Sequence, residues 1–437
     1  MKLFERLFKH ITLAFLLCFF APSTASSPNN EPTLQADSIE ISLLTCGPRQ
    51  QVYSMYGHTA IRFQDKQSGR DIAINYGIFS FDKPFFVLRF VFGLTDYEMG
   101  IAPFDIFEWE YDPTGCGVRQ QVLNLTAQEK MAIAQAVDRN MEPQNRVYRY
   151  NFFYDNCTTR ARDIIANNIN GRIVYDTSTP QHLNTTTPQH LNTSTPQHHN
   201  TPAQYPTFRN LIHNYNETHR WARFGNDLLL GVKADYYTTF EQQQFLPERL
   251  CADFERAHII SADGTKRNLV SSSFWLFEPT TKQQSIQQTN MGILDVFSPL
   301  VTFSILSILT LIIAIVEHQR KRIIWVFDAS IMLTTGACGL LLFAMIFSQH
   351  PTVSLNLQIL LLNPINIFML YSVAKAAHKN RIHWWTKAWS ALILLLLAGS
   401  FLQSYAEGIT IVALSLLLRN ISNIYTFKNT GSKQPEA

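Results

Sequence analysis

One cysteine in this chain sits where covalent chemistry would want it, at the change from a strand-like run to a helical one. The stretch is Tyr150-Asn151-Phe152-Phe153-Tyr154-Asp155-Asn156-Cys157-Thr158-Thr159-Arg160. Upstream, residues 146–152 alternate like a half-buried strand. Downstream, residues 158–170 read as a helix with Ala161, Ile164, Ile165 and Ile169 on its apolar face and Gly171 as a stop. Asp155 or Asn156 can cap that helix, which puts Cys157 in its first turn. There the unpaired N–H groups and the helix dipole favour thiolate over thiol. A thiolate is a nucleophile, so the position suits covalent catalysis.

Such a nucleophile needs a base, and His58 is the candidate. It lies in Tyr56-Gly57-His58-Thr59-Ala60-Ile61-Arg62 and opens a strand-like run, 58–64. A turn at 66–70 and a second alternating run, 71–76, follow. An imidazole at a strand mouth is held by backbone pairing yet stays accessible, as a general base must. Asn75, Asp71 and Asp155 are candidate orienting groups. The competing reading of His58 is a structural histidine.

Cys157 also has a competing reading. Of the six cysteines, Cys18 lies in an N-terminal apolar stretch and Cys338 in a C-terminal one. Cys46, Cys116, Cys157 and Cys251 remain, and in an oxidising compartment four cysteines permit three disulfide pairings. No CxxC and no zinc-ligand spacing is present, and the sequence calls for no metal or cofactor.

The elements that must position these residues belong to a chain of 437 residues, 46% hydrophobic and 16% charged, which suits a soluble domain joined to membrane spans. A net charge of +3 is too mild to imply a nucleic-acid partner. Residues 1–26 read as a secretory signal: Lys2, Arg6 and Lys9 precede the apolar run 11–20, and Ser23-Thr24-Ala25 supplies small residues for cleavage. Five apolar stretches follow near the C-terminus, at 295–317, 324–347, 354–374, 386–403 and 408–420, leaving 421–437 as a tail. Basic residues follow the first, third and fifth, whereas 348–354 and 403–408 carry no Lys or Arg. The positive-inside rule then puts the large domain outside the cytoplasm, in the periplasm of an inner-membrane protein. Asp328, His350, Asn356 and Asn363 are polar residues in or beside these spans.

The exported region, 36–285, reads as α+β. Strand-like runs occur at 39–45, 58–64, 71–76, 118–125 and 146–152, and Thr126-Ala127-Gln128-Glu129 is a capping box opening a helix to about Asn140. Helical regions are expected at 206–219 and 241–258, and a polar connection or terminal strands at 263–290. A threonine- and proline-rich octapeptide repeats three times within the insertion 177–203 and cannot bury a core. No HExxH, GxSxG, phosphate-binding loop or dinucleotide fingerprint is present.

Leu43-Leu44-Thr45-Cys46-Gly47-Pro48, Val52 to Arg62, Asn75-Tyr76-Gly77-Ile78-Phe79 and Tyr148 to Arg160 together resemble the Lnb-type lipoprotein N-acyltransferases. Asp227, Leu228, Gly231 and Phe245-Leu246-Pro247 resemble the later part of the same domain, and His350-Pro351 and Asn363-Pro364 its membrane region. The order of a histidine at a strand start and an Asn-Cys pair opening a helix is also similar to permuted papain-like enzymes of the NlpC/P60 and lecithin–retinol acyltransferase group. That resemblance implies a papain-like fold, Cys157 as the acyl-carrying nucleophile and His58 as the base. It implies an acyl donor that is a phospholipid or a lipidated lipoprotein, and a lipoprotein N-terminus as acceptor. Asn75, Asp155 and Asn156 are the expected orienting or oxyanion support. Arg62, Arg149, Arg160, Arg162 and His350 are expected to be available to a lipid head group. Two other readings compete: a Cys–His hydrolase acting on cell-envelope peptide or lipid ester, and a non-catalytic binding module with Cys157 in a disulfide.

Overall fold

The computed structural model describes residues 38–49, 51, 54–79, 84–176, 205–280 and 297–427. The expected signal (1–26), the octapeptide insertion (177–203) and most of the expected C-terminal tail (421–437) lie outside them. The soluble part is built on antiparallel strands β1 (Ile39–Cys46), β2 (His58–Asp65), β3 (Asp71–Ile78), β4 (Asp96–Pro103), β5 (Val118–Leu123) and β6 (Val147–Arg149). Three short strands, β7 (Arg172–Val174), β8 (His258–Ile260) and β9 (Lys266–Asn268), form a sheet of their own before β10 (Val270–Phe277). The main sheet runs in the order β10-β5-β1-β2-β3-β4-β6.

β1 is buried almost along its whole length because both faces of the sheet are covered. On one face Ile41, Leu43, Ile61, Ile74 and Tyr76 meet Ile133 and Val137 of helix Ala127–Met141 and Ala161, Ile164 and Ile165 of helix Cys157–Ala166. On the other, Leu44, Ala60 and Ala73 meet Phe104, Phe107 and Tyr111 of helix Phe104–Tyr111. Each buried isoleucine or leucine contributes roughly 1.5–3 kcal/mol. The two helices from residues 127 and 157 both open on capping boxes, Thr126 with Glu129 and Asn156 with Thr159.

The expected strands 39–45, 58–64, 71–76 and 118–125 are all present, with bounds differing by one or two residues. The strand at 146–152 is shorter, since Asn151 leaves it to pair with Asp155 in a tight bridge. The helix from Cys157 stops at Ala166, before Gly171, with Asn167 as its C-cap. The 263–290 region supplies β9 and β10, and β10 closes the sheet edge beside β5. β4, the helix Phe104–Tyr111 and the helices Phe86–Val91 and Arg220–Leu229 have no counterpart in the sequence reading.

Among the described residues, four C-terminal helical segments are long and apolar enough to cross a membrane: Pro299–Arg320, Trp325–Met345, Leu357–His378 and Ile409–Phe427. Trp384–Gly399 is apolar but shorter. The polar residues there have structural duties. Gln358 donates to the carbonyls of Asp227 and Leu228, Asn356 to Leu228, and Gln403 to Leu230. Gly231 N–H donates to Thr352, and a Cβ at Gly231 would stand 2.0 Å from the Leu355 carbonyl oxygen. These bonds tie the end of helix Arg220–Leu229 to the membrane region. The same joint carries Arg209, fully buried, which pairs with Asp227 at 2.7 Å and Asp235 at 2.9 Å. Asn366 bonds Thr335 and Trp385.

At the other end of the bundle Arg419 binds Glu317 at 2.6 Å and Asp328 at 2.7 Å, clamping three helices together. Arg419 is buried within helix Ile409–Phe427, which therefore runs past the expected end at 420, and it is not one of the loop charges. A guanidinium inside an apolar bundle is tolerated because two carboxylates surround it.

Candidate active site

β2 begins at His58, and Gly57 just before it takes φ +80, where a side chain would run into the Cys46 carbonyl. Next to it, β3 is interrupted after Asn75 by a register shift, and Gly77 has φ +88. These two irregularities open the sheet end at which the Cys157 helix begins. Asn156 Oδ1 accepts the N–H groups of Thr158 and Thr159, so Cys157 occupies the first helical position with its own amide unclaimed by the cap. The start of the helix is pinned to β2 by Thr158 and Thr59, whose hydroxyls lie 3.1 Å apart.

The sulfur of Cys157 is hydrogen bonded to His58, to the Thr59 N–H and to the Thr158 hydroxyl. Burial opposes ionisation of the thiol, but the charge of His58 and these hydrogen bonds outweigh it and bring it down to about 7. Burial likewise opposes charge on His58, yet the facing Cys157 and the hydrogen bonds to Cys157 and Asn75 raise its pKa above the ordinary imidazole value. The two groups favour one another's ionised forms, and they titrate as a pair. His58 Nε2 donates to Asn75 Oδ1 at 3.0 Å, which leaves Nδ1 as the ring nitrogen not spent on Asn75. Tyr111 stacks against the imidazole, with centroids 6.4 Å apart.

Cys157, His58 and Asn75 are thus brought together. The other expected residues are placed differently. Asp155 binds Arg160 through both oxygens, at 2.6 and 2.8 Å. Asp71 is held by Arg62. Asn156 is a cap, and its Nδ2 donates to the carbonyls of Phe152 and Phe245, so it has no donor left for a substrate. Arg62 is buried over the Phe104 ring and bonded to Asp71 and Gln120, away from any head group. Arg160 lies over the Tyr148 ring, and Arg162 bonds Asp163 and the Glu241 carbonyl. Arg149, paired with Asp96, and His350, which donates to the Phe90 carbonyl, stand at the junction with the membrane region. Cys46, Cys116, Cys157 and Cys251 are all free thiols, which removes the disulfide that the binding-module reading required.

A further residue completes the site. A Cβ built on Gly77 would stand 3.7 Å from Cys157 Cβ, 3.8 Å from the Tyr148 hydroxyl and 3.9 Å from Tyr97 Cδ1. The space beside Gly77 is therefore walled by the Cys157 side chain and by a phenol. Tyr148 is 7% exposed, and its hydroxyl has no hydrogen-bond partner among the described residues. Burial and the nearby thiolate raise its pKa strongly, so it remains a proton donor. The strand pattern of residues 146–152 marks Tyr148 as inward-facing, but only the fold brings its hydroxyl to Cys157.

Comparison with known proteins fits this arrangement. The chain matches the Lnb N-terminal periplasmic domain over residues 27–193 and the Lnb transmembrane domain over residues 289–430. The chain belongs to the Lnb family. It is a multi-pass membrane protein with a periplasmic domain, and an Lnb-type lipoprotein N-acyltransferase. The match to the periplasmic domain ends within the octapeptide insertion, and the dyad residues Cys157 and His58 both fall inside it. Neither a curated protein nor a solved structure matches the chain.

Proposed function

We propose that this Lnb-type enzyme moves a fatty acyl chain through a thioester on Cys157 to the α-amine of a lipoprotein's lipidated N-terminal cysteine. The single observation that carries the reading is the half-buried Cys157–His58 pair, whose mutual stabilisation lowers the thiol to about 7 beside an oriented imidazole.

In the first half-reaction the thiolate attacks an ester carbonyl of the donor lipid. The C–S bond forms, the ester C–O bond breaks, and His58 gives its Nδ1 proton to the leaving alcohol oxygen. In the second, the neutral α-amine attacks the thioester carbonyl. The C–N bond forms, the C–S bond breaks, and His58 takes the proton from nitrogen, which restores the thiolate–imidazolium pair. Both tetrahedral intermediates carry an oxyanion. The Cys157 amide and the Tyr148 hydroxyl are the donors assigned to it, since the Asn156 cap does not take the first, no described residue takes the second, and the Cys157 and Tyr148 side chains both stand beside Gly77. Asn75 holds the imidazole so that Nδ1 keeps facing sulfur. Attachment of the domain to the membrane region by residues 227–232 suits a reaction in which both lipid-bearing substrates reside in the outer leaflet.

The test is mass spectrometry of a reporter lipoprotein's N-terminal peptide, from cells lacking the enzyme and complemented with wild type or Cys157→Ala. An extra acyl chain on the amine with wild type alone is the expected result. Equal acylation in all strains overturns the proposal and favours a hydrolase.

A further inference from the structure

The segment leading into β4 combines features that a water-facing surface does not explain. Phe85 is 79% exposed and Leu88 51%, on either side of the first turn of the six-residue helix Phe86–Val91. Phe85 also takes φ 58, a left-handed conformation costly for a bulky residue, and no side-chain hydrogen bond caps the helix. Large apolar side chains exposed together mark a surface that something covers.

Its location identifies the cover. The segment is docked on the chain that leaves helix Trp325–Met345. Ser348 Oγ donates to the Val91 carbonyl at 3.0 Å, Gln349 N–H to the Phe92 carbonyl at 3.0 Å, and His350 Nε2 to the Phe90 carbonyl at 3.0 Å. Phe343 and Phe347 at the end of that helix are themselves exposed. Apolar side chains exposed on a membrane span face the lipid, and this span ends on the side of the soluble domain. The exposed face of Phe85 and Leu88 is therefore continuous with the part of the molecule that meets the outer leaflet.

Inward, the same segment begins a wall of rings. Phe86 stacks on Phe79 at 5.4 Å, Phe79 meets Tyr97 at 4.9 Å, and Tyr97 stacks on Tyr150 at 4.2 Å. Tyr97 in turn lines the space beside Gly77 that borders Cys157. A continuous row of packed rings thus links the exposed lip to the residue beside the thiol.

We infer that residues 84–94 form a lip that enters the outer leaflet and binds phospholipid acyl chains, which reach Cys157 along the Phe79–Tyr97 wall. The second clause rests on the acyl-transfer reading of Cys157, whereas the first does not. A photoreactive benzoylphenylalanine is placed at Phe85 or Leu88 in full-length Cys157→Ala protein, reconstituted in nanodiscs of phosphatidylglycerol and phosphatidylethanolamine. Expected are phospholipid adducts, seen by mass spectrometry, at both positions and none at Gln144, an exposed residue beyond helix Ala127–Met141. Adducts missing from positions 85 and 88 overturn the lip. In the Cys157-containing protein, Phe85→Asp with Leu88→Asp should slow acylation of Cys157 from nanodisc phospholipid at least about tenfold. Alkylation of Cys157 by iodoacetamide serves as the check on an intact site. Acylation at the wild-type rate would overturn the path. Lipid adducts without acylation in wild type would leave the lip standing and remove the catalytic reading instead.

Discussion

Replacing Tyr148 by phenylalanine deletes one oxygen and keeps the ring under the Arg160 guanidinium, whose carbon lies 3.6 Å from the ring centroid. The hydroxyl is buried and unpartnered, so the resting fold carries its desolvation cost without a compensating bond. Leaving a buried polar group unsatisfied costs ~1–3 kcal/mol. Tyr148→Phe should therefore stabilise the full-length protein by about 1 kcal/mol or more, an upward shift of a few degrees in Tm. Catalysis should move the other way. Loss of one of two oxyanion donors lowers kcat by ~10²–10³, or ~2.7–4 kcal/mol. The assays are thermal unfolding in detergent and single-turnover acylation of Cys157 from a labelled phospholipid. The pH dependence of iodoacetamide alkylation should barely change, because thiolate formation depends on His58 rather than on the phenol. A kcat within about threefold of wild type, ~0.7 kcal/mol, would refute the oxyanion assignment. A loss of stability would refute the premise that the hydroxyl is unpartnered.

Three other outcomes follow from the same geometry. Because Cys157 is held at about 7 while His58 is raised, the reactive pair is lost as pH falls through 7 and again above the raised histidine pKa. The kcat/KM profile should be bell-shaped with its acid limb near pH 7, and His58→Ala should move half-maximal alkylation of Cys157 to higher pH. Asn75→Ala should lower the acylation rate about 10–10²-fold by freeing the imidazole, with recovery in Asn75→Asp, whose carboxylate accepts the same Nε2 hydrogen. Arg209→Met removes the buried cation that Asp227 and the partly buried Asp235 share, leaving Asp227 only His213 and the longer Arg223 contact, and should cost ~3–5 kcal/mol. Limited proteolysis of the full-length protein should then cleave near residues 205–235, and resistance equal to wild type would sink that account.

Much of this protein is determined by local sequence. The alternation of β1, β2 and β3, the capping box at Thr126 and the long apolar helices are read directly, since each is a regular pattern over a few turns, whereas the choice of Asn156 over Asp155 as the cap before Cys157 is made by the fold. The cysteine at the helix start and the histidine at the strand start are equally local, and their pairing follows from a chemical need. Helix Phe104–Tyr111 was legible in principle, because Phe104, Phe107 and Tyr111 recur at helical spacing, but its many aromatic residues are equally strand-like. Long-range contacts decide the remainder. The choice of Asn75 over Asp71 and Asp155 to orient His58 depends on where Arg62 and Arg160 take up the two carboxylates. The polar residues Asn356, Gln358 and Gln403 carry no local sign that they bind carbonyls of residues 227–230. Tyr148 is one buried tyrosine among several until the fold turns its unpaired hydroxyl toward Cys157. Sequence periodicity fixes which face of an element is buried, while the partner across that face is chosen by the packing of distant segments.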